Sequence, residues 1–220
     1  MESKRKNTKR LAESAMLLAV AIVLELISKM FIPEFTFGGQ ITLVCMLPVV
    51  LCSYRYGVKW GAVVAVTYSF LQMALGAKTV SAAFLPGYFG DGALIGKALL
   101  MCLLDYVLAF TVLCLGGIFR NKIQKPSMAL LWGTLVALGA RYLVHILSGY
   151  ILFADYGEWF FSLELFQPWG TTLIETLSTD LLGFVYSVAY NGCYMIPEMV
   201  FTSIAAVLIT KIPGVVKKMD

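Results

Sequence analysis

Six residues that can ionise stand inside long apolar stretches of this sequence: Glu13, Glu25, Asp105, Arg141, His145 and Glu198. A charge in hydrocarbon is costly, so such residues mark a ligand, a partner or an ion pair. Arg141 and His145 are four apart and share one helix face. Tyr186, Ser187, Tyr190 and Asn191 add phenols, a hydroxyl and an amide within two turns of another run. A carboxylate, an imidazole, several phenols and an amide suit a flat cation. Aromatic faces attract cations through their quadrupole, at about 0.5 to 2 kcal/mol each once desolvated. Gly149 leaves room beside them. The alternative is that these groups hydrogen-bond across helices only to satisfy one another. Arg141 needs a carboxylate, and the sequence leaves both Asp105 and Glu198 open as its partner.

Other chemistries fail on residue type or spacing. His145 is the single histidine, which excludes a multi-histidine metal site. No H-E-x-x-H or G-x-S-x-G string occurs. The stretch GDGALIGKA from Gly90 to Ala98 looks like a phosphate loop. Its glycine spacing is wrong and no Ser or Thr follows Lys97. The chain is therefore expected to carry no nucleotide site, no metal, no cofactor and no catalytic set. Gly92-x-x-x-Gly96 reads as a helix-packing pattern. The five cysteines (Cys45, Cys52, Cys102, Cys114, Cys193) show no C-x-x-C spacing and read as buried reduced thiols rather than a metal or disulfide set.

The elements that must position these groups follow from composition. Of the 220 residues, 60% are hydrophobic and 14% charged, with mean hydropathy +0.82, against about 25% charged in soluble chains. That excludes a soluble enzyme, a disordered chain and a nucleic-acid reader. It predicts one all-α integral membrane domain over residues 1–220. A membrane helix needs about 20 apolar residues. Runs of that kind cover Leu11–Phe31, Trp60–Gly76, Leu94–Ile118, Met128–Phe153 and Phe184–Thr210. The second run, Ile41–Tyr54, is short and contains Pro48. It is either a tilted, broken span or a half-buried helix. The first run follows the basic patch Lys4–Arg10 and is too long for a cleaved leader. Six helices result, and residues 1–10 read as a basic cytoplasmic tail.

The basic residues set the orientation. The N-terminal patch, Arg55, Lys59, Arg120, Lys122, Lys125, Lys211, Lys217 and Lys218 fall on one side, thirteen of the seventeen lysines and arginines. The other side carries Glu34, Asp91, Asp155, Glu158, Glu164, Glu175 and Asp180. Both termini are thus expected in the cytoplasm. The first outer connection spans Ile32–Gln40, and the second holds Gly87, Gly90 and Gly92. The third, residues 154–183, carries Trp159, Phe160, Phe161, Phe166 and Trp169, and is too long to be structureless. It reads as a partly helical extracellular cap, or as an interfacial anchor in the membrane lipids. At about 1.5 Å per residue, Asp105 lies about 16 Å, Arg141 about 18 Å and Glu198 about 21 Å below the outer ends of their runs. In the first run Ala12, Ala15, Ala19 and Ala21 form a small-residue face centred on Ala15-x-x-x-Ala19. It suits close approach of another helix, within this chain or from a partner.

Several strings carry a resemblance. Arg141-Tyr-Leu-Val-His145-Ile-Leu-Ser148-Gly149 and Tyr186-Ser-Val-Ala-Tyr190-Asn191-Gly-Cys-Tyr194-Met-Ile-Pro197-Glu198 resemble the thiamine-specific S component of energy-coupling factor (ECF) transporters. So do Leu104-Asp105-Tyr106-Val-Leu-Ala-Phe110, the turn Tyr54-Arg55-Tyr56-Gly57, and Ala15-x-x-x-Ala19. The resemblance implies a six-helix subunit of a bacterial plasma membrane that binds thiamine from outside. It would dock through Ala15 and Ala19 onto a transmembrane coupling subunit that carries two ATPase subunits. It implies Asp105 on the aminopyrimidine with Tyr106 and Asn191, His145 and Phe153 flanking the thiazolium, and Gly149 and Tyr186 completing the wall. Phe153 stands where some members have tryptophan, and Asp105 where some have glutamate. The segment 154–183 exceeds what the family leads one to expect. A tryptophan of the first outer loop has no clear equivalent, and Phe35, Phe37, Trp159 or Trp169 are the aromatics able to cover the pyrimidine. The competing readings are an S component for another vitamin or a thiamine precursor, a secondary transporter using protons at Asp105 or Glu198, and an intramembrane enzyme using His145 as base.

Overall fold

In hydrocarbon the backbone has no water to bond, so a spanning segment must satisfy its own N–H and C=O groups. The computed structural model, which describes residues 2–36, 39–89 and 94–218, does this with helices, and no strand occurs among the described residues. In chain order they are α1 Glu2–Phe31, α2 Leu47–Tyr56, α3 Val58–Leu75, α4 Ala77–Ala83 and α5 Leu94–Met101. The α5 rod continues through a π turn, Cys102–Leu108, then α6 Ala109–Thr111 and a 3-10 stretch, Val112–Gly117. After it come α7 Pro126–Phe153, α8 Gly157–Ser162, α9 Trp169–Thr176 and α10 Thr179–Ile209. Gly90, Asp91 and Gly92 lie outside the described residues, as does Phe37.

Five of these rods are long and apolar enough to cross a membrane. The segment expected as the remaining span, Ile41–Tyr54, takes the broken form of its two readings. Residues 40–56 run down the flank of α1 in reverse. Gln40 bonds the carbonyl of Ile32, the Leu43 N–H meets Ser28 Oγ at 2.7 Å, and the Cys45 thiol donates to Glu25 at 3.0 Å. Lower down, Cys52 meets Ser14 at 3.2 Å and Arg55 meets Glu13 at 2.7 Å. From Ile32 to Glu13 that is about 28 Å at helical rise, close to the hydrocarbon thickness. The upper half of this crossing is not helical. The lower half is α2, ten residues with proline in the first turn, where its missing N–H removes no helix bond.

Small residues bring the rods together. A side chain at Gly133 of α7 would overlap the carbonyl of Gly116, and one at Gly183 of α10 would collide with Ala154. Of the four first-run alanines, Ala12, Ala15 and Ala19 are exposed, whereas Ala21 is fully buried. The expected four-alanine face is therefore three residues, since Ala21 lies about 200° round the helix from Ala19. Gly96 has open space where a side chain would go. Cys45 and Cys52 are buried, but Cys193 is exposed, which corrects the reading of all five as buried thiols.

The basic groups gather at one end. Arg10 stacks on Trp60 at 4.0 Å, Arg120 donates to the Arg55 carbonyl at 3.2 Å, and Lys218 lies 5.9 Å from the Tyr54 ring. Both ends of the described chain thus meet on one side of the bundle. The basic patch Lys4–Arg10 is helical and continuous with the rest of α1. On the opposite side, residues 154–183 fold into 3-10 turns, α8, α9 and the start of α10. Phe160 packs on Phe166 at 4.6 Å and on Tyr186 at 5.4 Å, and Phe161 on Trp169 at 6.1 Å. The phenylalanines turn inward while Trp159 and Trp169 remain 40% and 50% exposed. The helix of the last run begins at Thr179, five residues before the expected Phe184.

Gly133→Ala should lower the unfolding midpoint in detergent, because the methyl has only backbone to push against; overpacking of this kind costs about 1 to 3 kcal/mol. Gly139→Ala, with no atom within 4 Å of the added methyl, should leave the midpoint unchanged or raise it. Equal midpoints for the two variants would refute the close-approach account of α7.

Candidate functional site

The π turn of the α5 rod carries Asp105 and Tyr106 in succession. Widened turns of this kind recur at functional sites because they break the regular face of a helix. One Asp105 oxygen faces His145 Nδ1 at 3.1 Å and the other accepts from Ser148 Oγ at 2.8 Å, both on α7. His145 Nε2 in turn accepts from Arg141 Nε at 3.2 Å. Because an arginine only donates, Nε2 is the acceptor and Nδ1 carries the proton toward Asp105. The imidazole is thereby held neutral, in one tautomer.

Arg141 pairs with neither expected carboxylate among the described residues. Its Nη1 faces Met46 Sδ, and its guanidinium lies 4.2 Å from the Phe110 ring centre. The helical spacing that joins Arg141 to His145 draws its Nε to the imidazole, and the ring of Phe110 covers the charge. Glu198 is instead sealed, accepting from Thr42 N and Thr42 Oγ1 at 2.7 Å each and from Thr202 at 3.0 Å.

Asn191 ties α10 to α7. Its amide donates to the carbonyls of His145 at 3.1 Å and Ser187 at 2.8 Å, and its oxygen accepts from Tyr194 at 2.5 Å. A side chain at Gly149 would overlap Ser187 Oγ and crowd Asn191 Nδ2. The bareness of Gly149 therefore serves the approach of α10, and the residue also borders the cavity. Gly76 likewise gives way to the phenol of Tyr106.

These residues border one cavity of about 150 Å³. A single water needs about 10 to 15 Å³ on that measure, so the space has room for more than a few waters. Asp105, Tyr106, His145, Gly149, Phe153, Tyr186 and Asn191 all line it. Phe153 closes its end of α7 against Phe89 at 5.5 Å and Tyr88 at 6.4 Å. Burial, then the Asp105 carboxylate, hold the Tyr88 phenol above its ordinary range, so it stays a neutral donor. Phe35 packs on Tyr190 and Tyr194 at 6.0 Å each. It therefore stands beside the aromatic wall, while Trp159 and Trp169 lie away from the cavity lining.

Sequence reasoning missed part of the lining. Gln40, Thr42 and Met46 come from the unwound part of the second crossing, Gln72 and Thr79 from α3 and α4, and Glu25 from α1. Glu25 carried a signal as an intramembrane acid, and Tyr194 continues the four-residue spacing of Tyr186 and Tyr190. The polar residues of the second run carried none, since a regular helix would have turned them elsewhere. No group of three metal-ligating side chains occurs among the described residues.

The chain is 27% identical over 213 residues to the thiamine transporter ThiT of Bacillus subtilis (strain 168), covering 93% of this chain and 91% of that protein. Its fold matches a solved structure of ThiT from Listeria monocytogenes with a TM-score of 0.61 at 19% identity, covering 96% of this chain and 99% of that one. The thiamine transporter protein family (Thia_YuaJ) matches residues 11–165, which hold the π turn, Asp105, His145 and Phe153. A multi-span helical bundle enclosing a polar, aromatic cavity is what such a transporter requires, and this chain belongs to the thiamine transporter protein family.

Proposed function

We propose that the cavity binds thiamine, and that the chain is the S component of an ECF transporter in a bacterial plasma membrane. The observation that carries this reading is the meeting of seven residues named from sequence, on three rods, around one cavity. An ionised carboxylate has about four acceptor positions. His145 and Ser148 occupy two on Asp105, so two remain for the donor edge of an aminopyrimidine. Tyr106 and the free lone pair of Asn191 lie on the same cavity wall. The thiazolium is a permanent cation. Phe153 offers it a ring face, and a neutral His145 does not repel it. An aminopyrimidine matches Asp105 better than a flavin would. Glu198 does not border the cavity, which weighs against a proton route there.

The GDGALIGKA stretch lacks the spacing of a phosphate loop, and energy would come from two ATPase subunits reached through a coupling subunit. Ala12, Ala15 and Ala19 face outward on α1, where a partner helix can approach closely. The basic end of the bundle then faces the cytoplasm, and the segment 154–183 caps the cavity from outside. No cofactor enters this reading.

Thiamine should copurify with the protein in detergent or quench its tryptophan fluorescence on titration; protein that neither retains nor responds to thiamine would sink the proposal. Asp105→Ala should weaken binding by about 1.5 to 3 kcal/mol, the range for a hydrogen bond to a charged group. Unchanged affinity would make Asp105 structural. Phe153→Ala should cost about 1 to 3 kcal/mol by calorimetry, and Phe153→Trp should keep or improve affinity, since indole is the better cation–π face. No response to Phe153→Ala would move the stacking role to another ring. Ala15→Trp or Ala19→Trp should leave binding intact and abolish uptake. Normal uptake by both would remove α1 from the docking account.

A further inference from the structure

Five charged side chains border the cavity: Glu25, Lys29, Glu34, Asp105 and Arg141. Lys29 and Glu34 pair at 3.4 Å. Arg141 and Asp105 are linked through His145, which bonds both. Of the two carboxylates with no cation partner among the described residues, Asp105 is held by His145 and Ser148, whereas Glu25 has a single partner. Its partner is the Cys45 thiol at 3.0 Å, a weak donor. The residue is only 6% exposed. Yet its Oε1 accepts no hydrogen bond from a described residue, and it is not among the sealed unpartnered atoms. That oxygen is therefore not sealed, and Glu25 is among the residues that border the cavity. A carboxylate removed from water and given one thiol is poorly compensated, and a cation in the cavity would restore the balance.

Resting on the thiamine reading, we propose that Glu25 is a second ligand-facing carboxylate, which meets the fixed positive charge and sets the preference for a cationic over a neutral ligand. The two acids stand on separate rods, Glu25 on α1 and Asp105 on the π turn. They can therefore address the two rings of one ligand. Asp105, already tied to His145 and Ser148, takes hydrogen-bond donors on a neutral ring. Glu25, held on one oxygen by Cys45, presents the other to the charge. Cys45 belongs to the unwound segment, whose Thr42 is clasped by Glu198, so the rotamer of Glu25 is set by backbone that no regular helix would place there.

The test compares two compounds by calorimetry on the purified full chain: thiamine, and its neutral isostere with a thiophene in place of the thiazolium. The readout is the ratio of the two affinities within each protein. Wild type should prefer thiamine, and Glu25→Gln should cut that preference at least tenfold while keeping affinity for the isostere. Retained isostere binding also reports that the variant is folded. Glu25→Asp, which keeps the charge, should hold the ratio within about threefold of wild type. Glu25→Ala serves as a second neutral variant should the glutamine form not be recovered. Asp105→Asn should weaken both compounds together, leaving the ratio intact. An unchanged ratio in Glu25→Gln or Glu25→Ala overturns the proposal while leaving the thiamine reading standing. Wild type that binds neither compound overturns the thiamine reading, and this proposal with it.

Discussion

The structure depends on one constraint, that every backbone polar group at membrane depth needs a partner within the protein. Most of the chain meets it by being helical. The segment between α1 and α2 does not, and it survives because side chains take over the work. Glu198 accepts from the Thr42 N–H, and Ser28 from the Leu43 N–H. Val44 adopts a positive φ of 53°, which a β-branched residue enters only when its surroundings impose it. Such irregular backbone is tolerated where it lies inside protein or lines a cavity. Here it does both, and Gln40, Thr42, Cys45 and Met46 become lining.

The same logic governs the polar core of the site. Ser148, His145 and Arg141 lie on one face of α7 and form a relay from hydroxyl to guanidinium around Asp105. Each member satisfies the next, so the carboxylate is oriented with spare lone pairs left over. A buried polar group that is fully bonded is rigid, and rigidity before binding reduces the entropy lost on binding. Glu198 shows the contrast. With three donors and no opening on the cavity, it is a clasp between α10 and the unwound segment.

Close helix approach supplies the remaining precision. Gly149 and Gly183 let α10 lie against α7 and its continuation, so that Asn191 can reach the carbonyl of His145. The segment 154–183 adds aromatic weight at the end away from the basic groups, where Phe160 rests on Tyr186 and Tyr190. Meanwhile α1 keeps much of its surface outward, with Leu11, Met16, Val20 and Val23 exposed beside the small alanines.

Composition and periodicity determined much by themselves. Long apolar runs in a chain of this charge content can only be membrane helices, and asymmetric lysine and arginine counts can only favour one side. Intramembrane acids and an imidazole also announced themselves, since hydrocarbon makes an idle charge expensive. Asp105 and His145 were legible for that reason, and Asn191 as an amide within an apolar run. What only the tertiary structure decided were the partners and the breaks. Arg141 turned to His145, Met46 and Phe110 because side-chain reach and packing, not depth, choose a neighbour. Gly149 proved to be a contact between helices, which is a property of two elements and invisible in either. Residues 40–46 left the helix because their hydrogen bonds go to groups as remote in sequence as Glu198. Local pattern carries no information about a partner 156 residues away, and only the folded chain brings it within reach.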